Sequence, residues 1–441
     1  MVKKHPCPDC RFCRLCPDRR CELCLGWLAG KGRESGGEGR KGAGMTAAAG
    51  FDPGETVSGF VLERRAGLAE MGLDALQFRH ARSGARLLHL AADDPENLFA
   101  VAFRTPPPDD TGLPHILEHS VLCGSRRYPV KDPFVELLKT SLATFLNAFT
   151  YPDRTIYPCA SLNHRDFHNL MRVYCDAAFF PLLSEDHFLQ EGRHLEFPPE
   201  GRPFLKGVVY NEMRGVYSDP EGLLDRHLQR LLFASNAYGR DYGGDPRRIP
   251  DLTYQRYLDF HRSLYHPANA WIFVYGDADI RETLGILDRE FLGGFSALDP
   301  DTAIVPLERW LQPRQAAFGY PLDADDSPRG RTDIAVAFAA NDRRDSLAGM
   351  ALKVVDGYLL DNAASPLRKA LIDSRLGEEL GGSGYADHQR DTFFTVVLKG
   401  SESDRAEAVE RLILEVLRRE CEAGFDRGKV ASALRQFELA A

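Results

Sequence analysis

The sequence lacks any apolar run of about 18 residues, the length that a membrane-spanning helix requires. It also lacks the apolar core of a secretory signal, since Lys3 and Lys4 are followed by cysteines and arginines. Positive charge is not in excess, because the formal net charge is −9. We therefore expect neither a membrane nor nucleic acid as a partner. The expected location is cytoplasmic for a bacterial chain, or an organellar matrix for a eukaryotic one.

Cysteine is scarce over most of the chain. Beyond residue 24 only four remain, and we expect them to be free thiols in a reducing compartment: Cys123, Cys159, Cys175 and Cys421. Six more are crowded at the N-terminus, at Cys7, Cys10, Cys13, Cys16, Cys21 and Cys24. Clusters at such spacing tend to bind metal in cytosolic proteins, so these six form a candidate second metal site.

The first 44 residues form a cysteine-rich leader that ends in a glycine-rich linker. The leader carries ten Lys and Arg against five Asp and Glu, and Met45 follows it directly. Two interpretations stay open at this point. The leader is either a small zinc or iron–sulfur appendage, or an untranslated stretch ahead of a start at Met45.

The remaining chain has the composition of a globular protein, with 44% hydrophobic and 27% charged residues in a total of 441. At roughly 150 residues per domain, this length predicts two or three domains. Strand-like and helix-like segments occur in two units of similar plan, separated by a stretch rich in Pro and Asp. We predict an α+β fold with domains at 51–296 and 315–441. The last helix has no Gly or Pro stop signal, so we expect the second domain to be incomplete.

The most informative motif contains His115 and His119, with Glu118 between them. Positions i and i+4 of a helix lie on one face, so both imidazoles can reach one ion. Pro114 suits the first turn of such a helix. The order H-x-x-E-H is that of the inverted zinc peptidases, in which the glutamate can contact a water without binding the metal.

A hydrolytic zinc site usually has a third protein ligand, often a glutamate. Four downstream acids are candidates for this role: Glu136, Glu191, Glu196 and Glu212. Glu136 and Glu191 fit surface positions, and Glu196 precedes two prolines. Glu212 is favoured because it lies in an otherwise apolar stretch, where a carboxylate is costly to bury unless it is paired or bound to metal.

Residues 115–125 resemble the active-site helix of the pitrilysin-type inverted zinc peptidases, and within these the presequence protease and falcilysin branch. Further stretches are similar in the same order, at 128–129, 132–134, 144–150, 155–158, 207–217, 243–246, 265–270 and 364–367. The resemblance implies two pitrilysin-type domains, each a mostly antiparallel sheet packed by helices. It implies a zinc metalloendopeptidase that hydrolyses unstructured oligopeptides, such as targeting peptides or degradation fragments.

The resemblance also assigns residue roles. His115, His119 and Glu212 would bind Zn²⁺, and Glu118 would be the general base. Asn147 and Ala148 would lie on the edge strand that aligns the substrate backbone. Family members have four such domains in two halves, whereas this chain resembles only the first half. The alternative expectation is therefore a half-enzyme or scaffold that is inactive until joined to a C-terminal half.

Overall fold

The computed structural model describes residues 50–131, 133–323 and 325–440. The predicted leader, with its six clustered cysteines, lies outside the described residues. The described cysteines, Cys123, Cys159, Cys175 and Cys421, are free thiols. Within the described ranges, no helix is both long enough and apolar enough to cross a membrane.

Fifteen strands are formed by the described residues, and their bounds are β1 Thr56–Val57, β2 Phe60–Leu68, β3 Leu73–His80, β4 Arg86–Ala91, β5 Asn97–Arg104, β6 Ala143–Leu146, β7 Phe149–Tyr151, β8 Arg154–Ser161, β9 His194–Glu196, β10 Phe204–Lys206, β11 Ala270–Gly276, β12 Thr332–Asp342, β13 Glu379–Leu380, β14 Gly384–Ala386 and β15 Asp391–Ser401.

Twelve α-helices occur in the same ranges: α1 Leu113–Val121, α2 Pro133–Thr140, α3 His164–Phe179, α4 Glu185–Glu191, α5 Val208–Val216, α6 Pro220–Leu232, α7 Tyr254–Leu264, α8 Ile280–Ile286, α9 Ser346–Leu360, α10 Pro366–Ser374, α11 Ala406–Ala423 and α12 Arg427–Ala440. A π-helix, Leu287–Leu292, continues α8. Short 3₁₀ turns occupy Ala237–Gly239, Ile249–Asp251, Pro267–Asn269 and Ser403–Arg405.

The chain forms two compact units. The first ends at Arg214 and resumes over Asp241–Ala303, and the second comprises Gly215–Arg240 and the chain from Ile304 onward. The segment with α6 belongs to the second unit because Phe233 packs there in a small core with Ile304 and Phe393. The domain limits expected from the sequence, 51–296 and 315–441, stay a prediction.

The first unit is built on a nine-stranded sheet in the order β1-β2-β3-β4-β11-β5-β8-β6, with β7 also paired to β8. All its pairs are antiparallel except β4 with β11. Buried and half-buried residues alternate along β4, which gives the strand one core face. Helix α3 packs on the sheet through a largely buried surface, and its Asn163 cap accepts a hydrogen bond from the Asp166 amide.

The second unit has a four-stranded antiparallel sheet in the order β12-β15-β13, with β14 also paired to β15. Helices α9, α10 and α11 cover this sheet and contribute Leu359, Leu367 and Ile413 to its core. The predicted α+β class, with mostly antiparallel sheets packed by helices, is confirmed.

One predicted strand is interrupted. The resemblance implies that Asn147 and Ala148 lie on an edge strand, but the structure has β6 and β7 with these two residues between them. Both strands pair with β8, and Pro158 of β8 lies opposite the interruption. Because proline has no amide hydrogen, it cannot donate a ladder hydrogen bond at this point.

A buried histidine in β4 predicts a pH-dependent stability. His89 is 1% exposed, and burial lowers its pKa to about 4. In the unfolded chain the imidazole protonates near pH 6.5, so the stability is fully present above that pH and is lost as pH falls towards 4. Lowering the pH from 7 to 4.5 should therefore reduce the free energy of unfolding by about 2 kcal/mol through this residue.

Urea unfolding of the wild type and of His89→Leu at both pH values measures this contribution, and the variant should lose correspondingly less stability on acidification. The control is Leu76→Val, at the buried position opposite His89 in β3. It should lower stability equally at both pH values. Identical pH dependence of wild type and His89→Leu would contradict the prediction.

Candidate metal centre

Three of the predicted site residues converge in the first unit. His115 and His119 lie one turn apart on α1, with ring centroids 5.0 Å apart. Glu212, on α5, places its Oε2 atom 3.8 Å from the Nε2 atom of each histidine. One donor atom from each residue lies within 4.8 Å of the others, and this is the one such group of three among the described residues.

Each histidine is oriented by an acceptor on its far side. The Nδ1–H of His115 donates to the carbonyl oxygen of Gly243 over 3.1 Å, and that of His119 donates to Glu191 Oε2 over 3.3 Å. With Nδ1 protonated, the lone pair of each neutral imidazole lies on Nε2, the atom nearest to Glu212. Both rings therefore present the lone pair that a metal ion requires.

The charges around His119 favour a cation at this position. Burial alone would lower the pKa of His119, but the hydrogen bond to Glu191 and the charges of Glu118 and Glu212 raise it overall. Burial alone would raise the pKa of Glu191, but its hydrogen bond with His119 lowers it. The acidic groups thus stabilise positive charge at His119, whether it is a proton or a metal ion, and metal binding must displace the proton.

A close backbone contact places the Gly243 carbonyl beside α1. Gly112 precedes the helix with φ +68°, and a Cβ atom there would lie 2.6 Å from Gly243 O. A Cβ atom on Gly244 would lie 2.9 Å from Gly112 Cα. Asp241 holds the loop by accepting hydrogen bonds from the Gly243 and Gly244 amides, at 3.0 and 3.2 Å. Side chains at these glycines would push the carbonyl away from His115.

Glu118 lies beside the cluster and is not one of its three donors. It is 9% exposed, and its Oε2 atom accepts a hydrogen bond of 2.6 Å from the hydroxyl of Thr150 in β7. Behind it lie the hydroxyls of Tyr157 and Tyr265, 2.9 Å apart. Burial, with the charge of Glu118 as a further cause, raises the pKa of both tyrosines, so they stay neutral.

The two residues predicted to bind substrate lie at the sheet edge, between β6 and β7. The Asn147 amide donates to Pro158 O over 3.2 Å, and its carbonyl accepts from the Tyr174 hydroxyl over 3.3 Å. The Ala148 amide donates to the Asn147 side chain over 2.9 Å. These bonds fix the loop at the edge of β8, and the role of both residues in substrate binding stays a prediction.

The other three candidate acids do not belong to the group formed by His115, His119 and Glu212. Glu136 is exposed and pairs with Lys139 over 2.9 Å, and Glu196 pairs with Lys206 over 3.4 Å. Glu191 binds His119 instead. Sequence reasoning missed this role of Glu191, and it missed Thr150 altogether. The two adjacent glycines, Gly243 and Gly244, were a usable signal, because such a pair often marks a close backbone approach.

Comparisons with known proteins indicate the family of the chain. Residues 104–196 match the family model described as "Insulinase (Peptidase family M16)", and residues 251–437 match "Peptidase M16 inactive domain". The chain is 44% identical over 378 residues to presequence protease 1, chloroplastic/mitochondrial, of Arabidopsis thaliana, covering 84% of this chain and 35% of the relative. It is 38% identical over 395 residues to the mitochondrial presequence protease of Xenopus laevis, covering 88% of this chain and 38% of the relative.

A solved structure of lower sequence identity shows the same fold. A protease from Helicobacter pylori superposes with a TM-score of 0.62 at 18% identity, covering 81% of this chain and 83% of that protein. The chain spans little more than a third of the length of the two presequence proteases. The predicted family is confirmed: the chain belongs to the M16 peptidases, in the presequence protease branch of the pitrilysin-type enzymes.

Proposed function

We propose that this protein is a zinc metalloendopeptidase that hydrolyses unstructured oligopeptides, such as targeting peptides or degradation fragments. The observation that carries the proposal is the convergence of His115, His119 and Glu212 beside the buried carboxylate of Glu118. Two imidazole nitrogens and one carboxylate oxygen are a usual donor set of a catalytic zinc site, in which a fourth position stays open.

The geometry fits this ion. Tetrahedral zinc with ligands at 2.0–2.2 Å separates its donor atoms by about 3.4 Å, and the Nε2 to Oε2 separations here are 3.8 Å. Calcium and magnesium prefer oxygen donors, so the two imidazoles argue against them. Gly243 and Glu191 supply the outer hydrogen bonds that metal-binding histidines usually make.

The metal ion and Glu118 have separate roles in the proposed reaction. A zinc ion held here supplies a Lewis acid that activates water and polarises the scissile carbonyl. Glu118, adjacent to His119 on α1, takes the proton from the attacking water and returns it to the leaving amine. Because Glu118 is buried, its carboxylate has little room to move between these two proton transfers.

The sheet edge accounts for the choice of unfolded substrates. In the described part of the chain, no strand pairs with the outer side of β6 or β7. An extended peptide could add there as a further strand, next to Asn147 and Ala148 and close to Glu118. An unstructured peptide has free backbone donors and acceptors along its whole length, which favours unstructured peptides as the substrate class. Two relatives are named presequence proteases, which agrees with targeting peptides as substrates.

The alternative is a half-enzyme or scaffold that is inactive until joined to a C-terminal half. The chain covers 35% and 38% of the two presequence proteases, and this observation favours the alternative. Hydrolysis of a fluorogenic peptide by the 441-residue chain, alone and with a C-terminal half supplied, separates the two proposals. Turnover by the chain alone contradicts the half-enzyme.

The test of the proposed mechanism is Glu118→Gln. The variant should retain as much zinc per chain as the wild type, because Glu118 is not a ligand, while peptide hydrolysis should fall roughly 10²–10⁴-fold with the loss of the base. Elemental analysis and a fluorogenic peptide assay measure the two quantities on the same sample. Glu136→Gln is the matched control, an exposed acid with no contact to the cluster, and should change neither. Unaltered turnover by Glu118→Gln contradicts the mechanism.

A second prediction concerns Glu191. In Glu191→Gln, His119 loses the charge that stabilises positive charge on its ring, so zinc affinity should fall roughly tenfold to hundredfold. Competition with a chromophoric chelator measures the dissociation constant of the wild type, of Glu191→Gln and of the control Glu136→Gln. Equal affinities for all three would show that Glu191 does not support the metal site.

A further inference from the structure

A threonine of the edge strand holds the carboxylate of Glu118. The Thr150 hydroxyl donates to Glu118 Oε2 over 2.6 Å, a length typical of an O–H donor on a charged acceptor. Because Glu118 is 9% exposed, little water competes for this hydrogen bond. The contact joins α1 to β7, and the two residues lie 32 positions apart in the sequence.

The strand fixes where this hydroxyl lies. Thr150 pairs with Thr155 of β8, and the hydroxyl of Thr155 is itself 2.8 Å from that of Thr105. Phe149 and Tyr151 point to the other face of the strand, where their rings lie 6.2 Å apart. A threonine side chain also has few accessible χ1 rotamers. The donor is therefore held by the backbone of the sheet and not by a flexible arm.

The two carboxylate oxygens of Glu118 differ as a result. Oε2 is occupied by Thr150, whereas Oε1 has no hydrogen-bond partner among the described residues. A carboxylate held through one oxygen cannot rotate freely, so the other oxygen keeps a fixed direction. Oε1 keeps both of its lone pairs for a proton, whereas the bond to Thr150 engages one lone pair of Oε2 and makes that oxygen the weaker acceptor.

We propose that Thr150 is a positioning residue that makes Oε1 of Glu118 the proton-transferring atom. This inference rests on the proposed function of Glu118 as the base. Thr150 also lies in β7, along the sheet edge where we expect the peptide to bind. One strand thus aligns both the substrate backbone and the base, which keeps the two in register during the reaction.

The first test is structural and needs no turnover. Thr150→Val removes the hydroxyl at nearly constant volume, and Thr150→Ser retains it. In crystal structures of the zinc-loaded chain, Glu118 should keep its orientation in the wild type and in Thr150→Ser. It should take a different or a second orientation in Thr150→Val, with the zinc content unchanged from the wild type. An unchanged Glu118 in Thr150→Val overturns the proposal.

The second test separates positioning from folding or substrate binding. Thr150→Val should lower kcat about tenfold to hundredfold with KM changed less than about threefold, since misplacement of a base affects the chemical step. Thr150→Ser should restore kcat to within about threefold of the wild type. An equal loss in both variants, or a change confined to KM, overturns the proposal. If valine prevents folding, Thr150→Ala takes its place in both tests.

A double variant distinguishes failure here from failure of the proposed function. In the Glu118→Gln background, Thr150→Val should cause no further loss of activity, because both changes act through one group. Full activity of Glu118→Gln refutes the proposed mechanism whatever Thr150 does. An inactive Glu118→Gln together with a fully active Thr150→Val refutes only the role of Thr150.

Discussion

The geometry of the candidate metal centre depends on hydrogen bonds at the far side of each histidine ring. The donors at Nδ1 of His115 and His119 are bound to the Gly243 carbonyl and to Glu191, which leaves both Nε2 lone pairs near the same oxygen of Glu212. Without these acceptors the rings could rotate or exchange tautomers, and the helical spacing alone would not present two lone pairs to one ion.

Backbone packing enforces this arrangement. The left-handed Gly112 lets the chain enter α1 directly against the loop that carries Gly243, and any side chain there would collide with that loop. Asp241 accepts two amides of the same loop and is 2% exposed, so the loop is held from within the unit. The first unit therefore supplies the two histidines from helix α1. It orients their rings with the main-chain carbonyl of Gly243 and with the buried acid Glu191.

The elements of the site could be predicted where the signal is local. The spacing of His115 and His119 follows from helical periodicity, and Glu212 followed from an acid in an apolar setting. The adjacent glycines Gly243 and Gly244 indicate a close backbone approach, but they could not show that it occurs at His115, because the acceptor is a main-chain atom 128 residues away. Thr150 is one polar residue in a strand, and only the paired sheet brings its hydroxyl to Glu118. The placement of α6 in the second unit likewise depends on tertiary contacts alone.

The central claim is that His115, His119 and Glu212 hold one zinc ion. Anomalous diffraction from crystals of the zinc-loaded chain, recorded on both sides of the zinc absorption edge, tests it most directly. We expect one peak beside α1, present only above the edge, within bonding distance of Nε2 of each histidine and of the Glu212 carboxylate. A peak ligated by Glu118 or Glu191 in place of Glu212, or no peak beside α1, would contradict it.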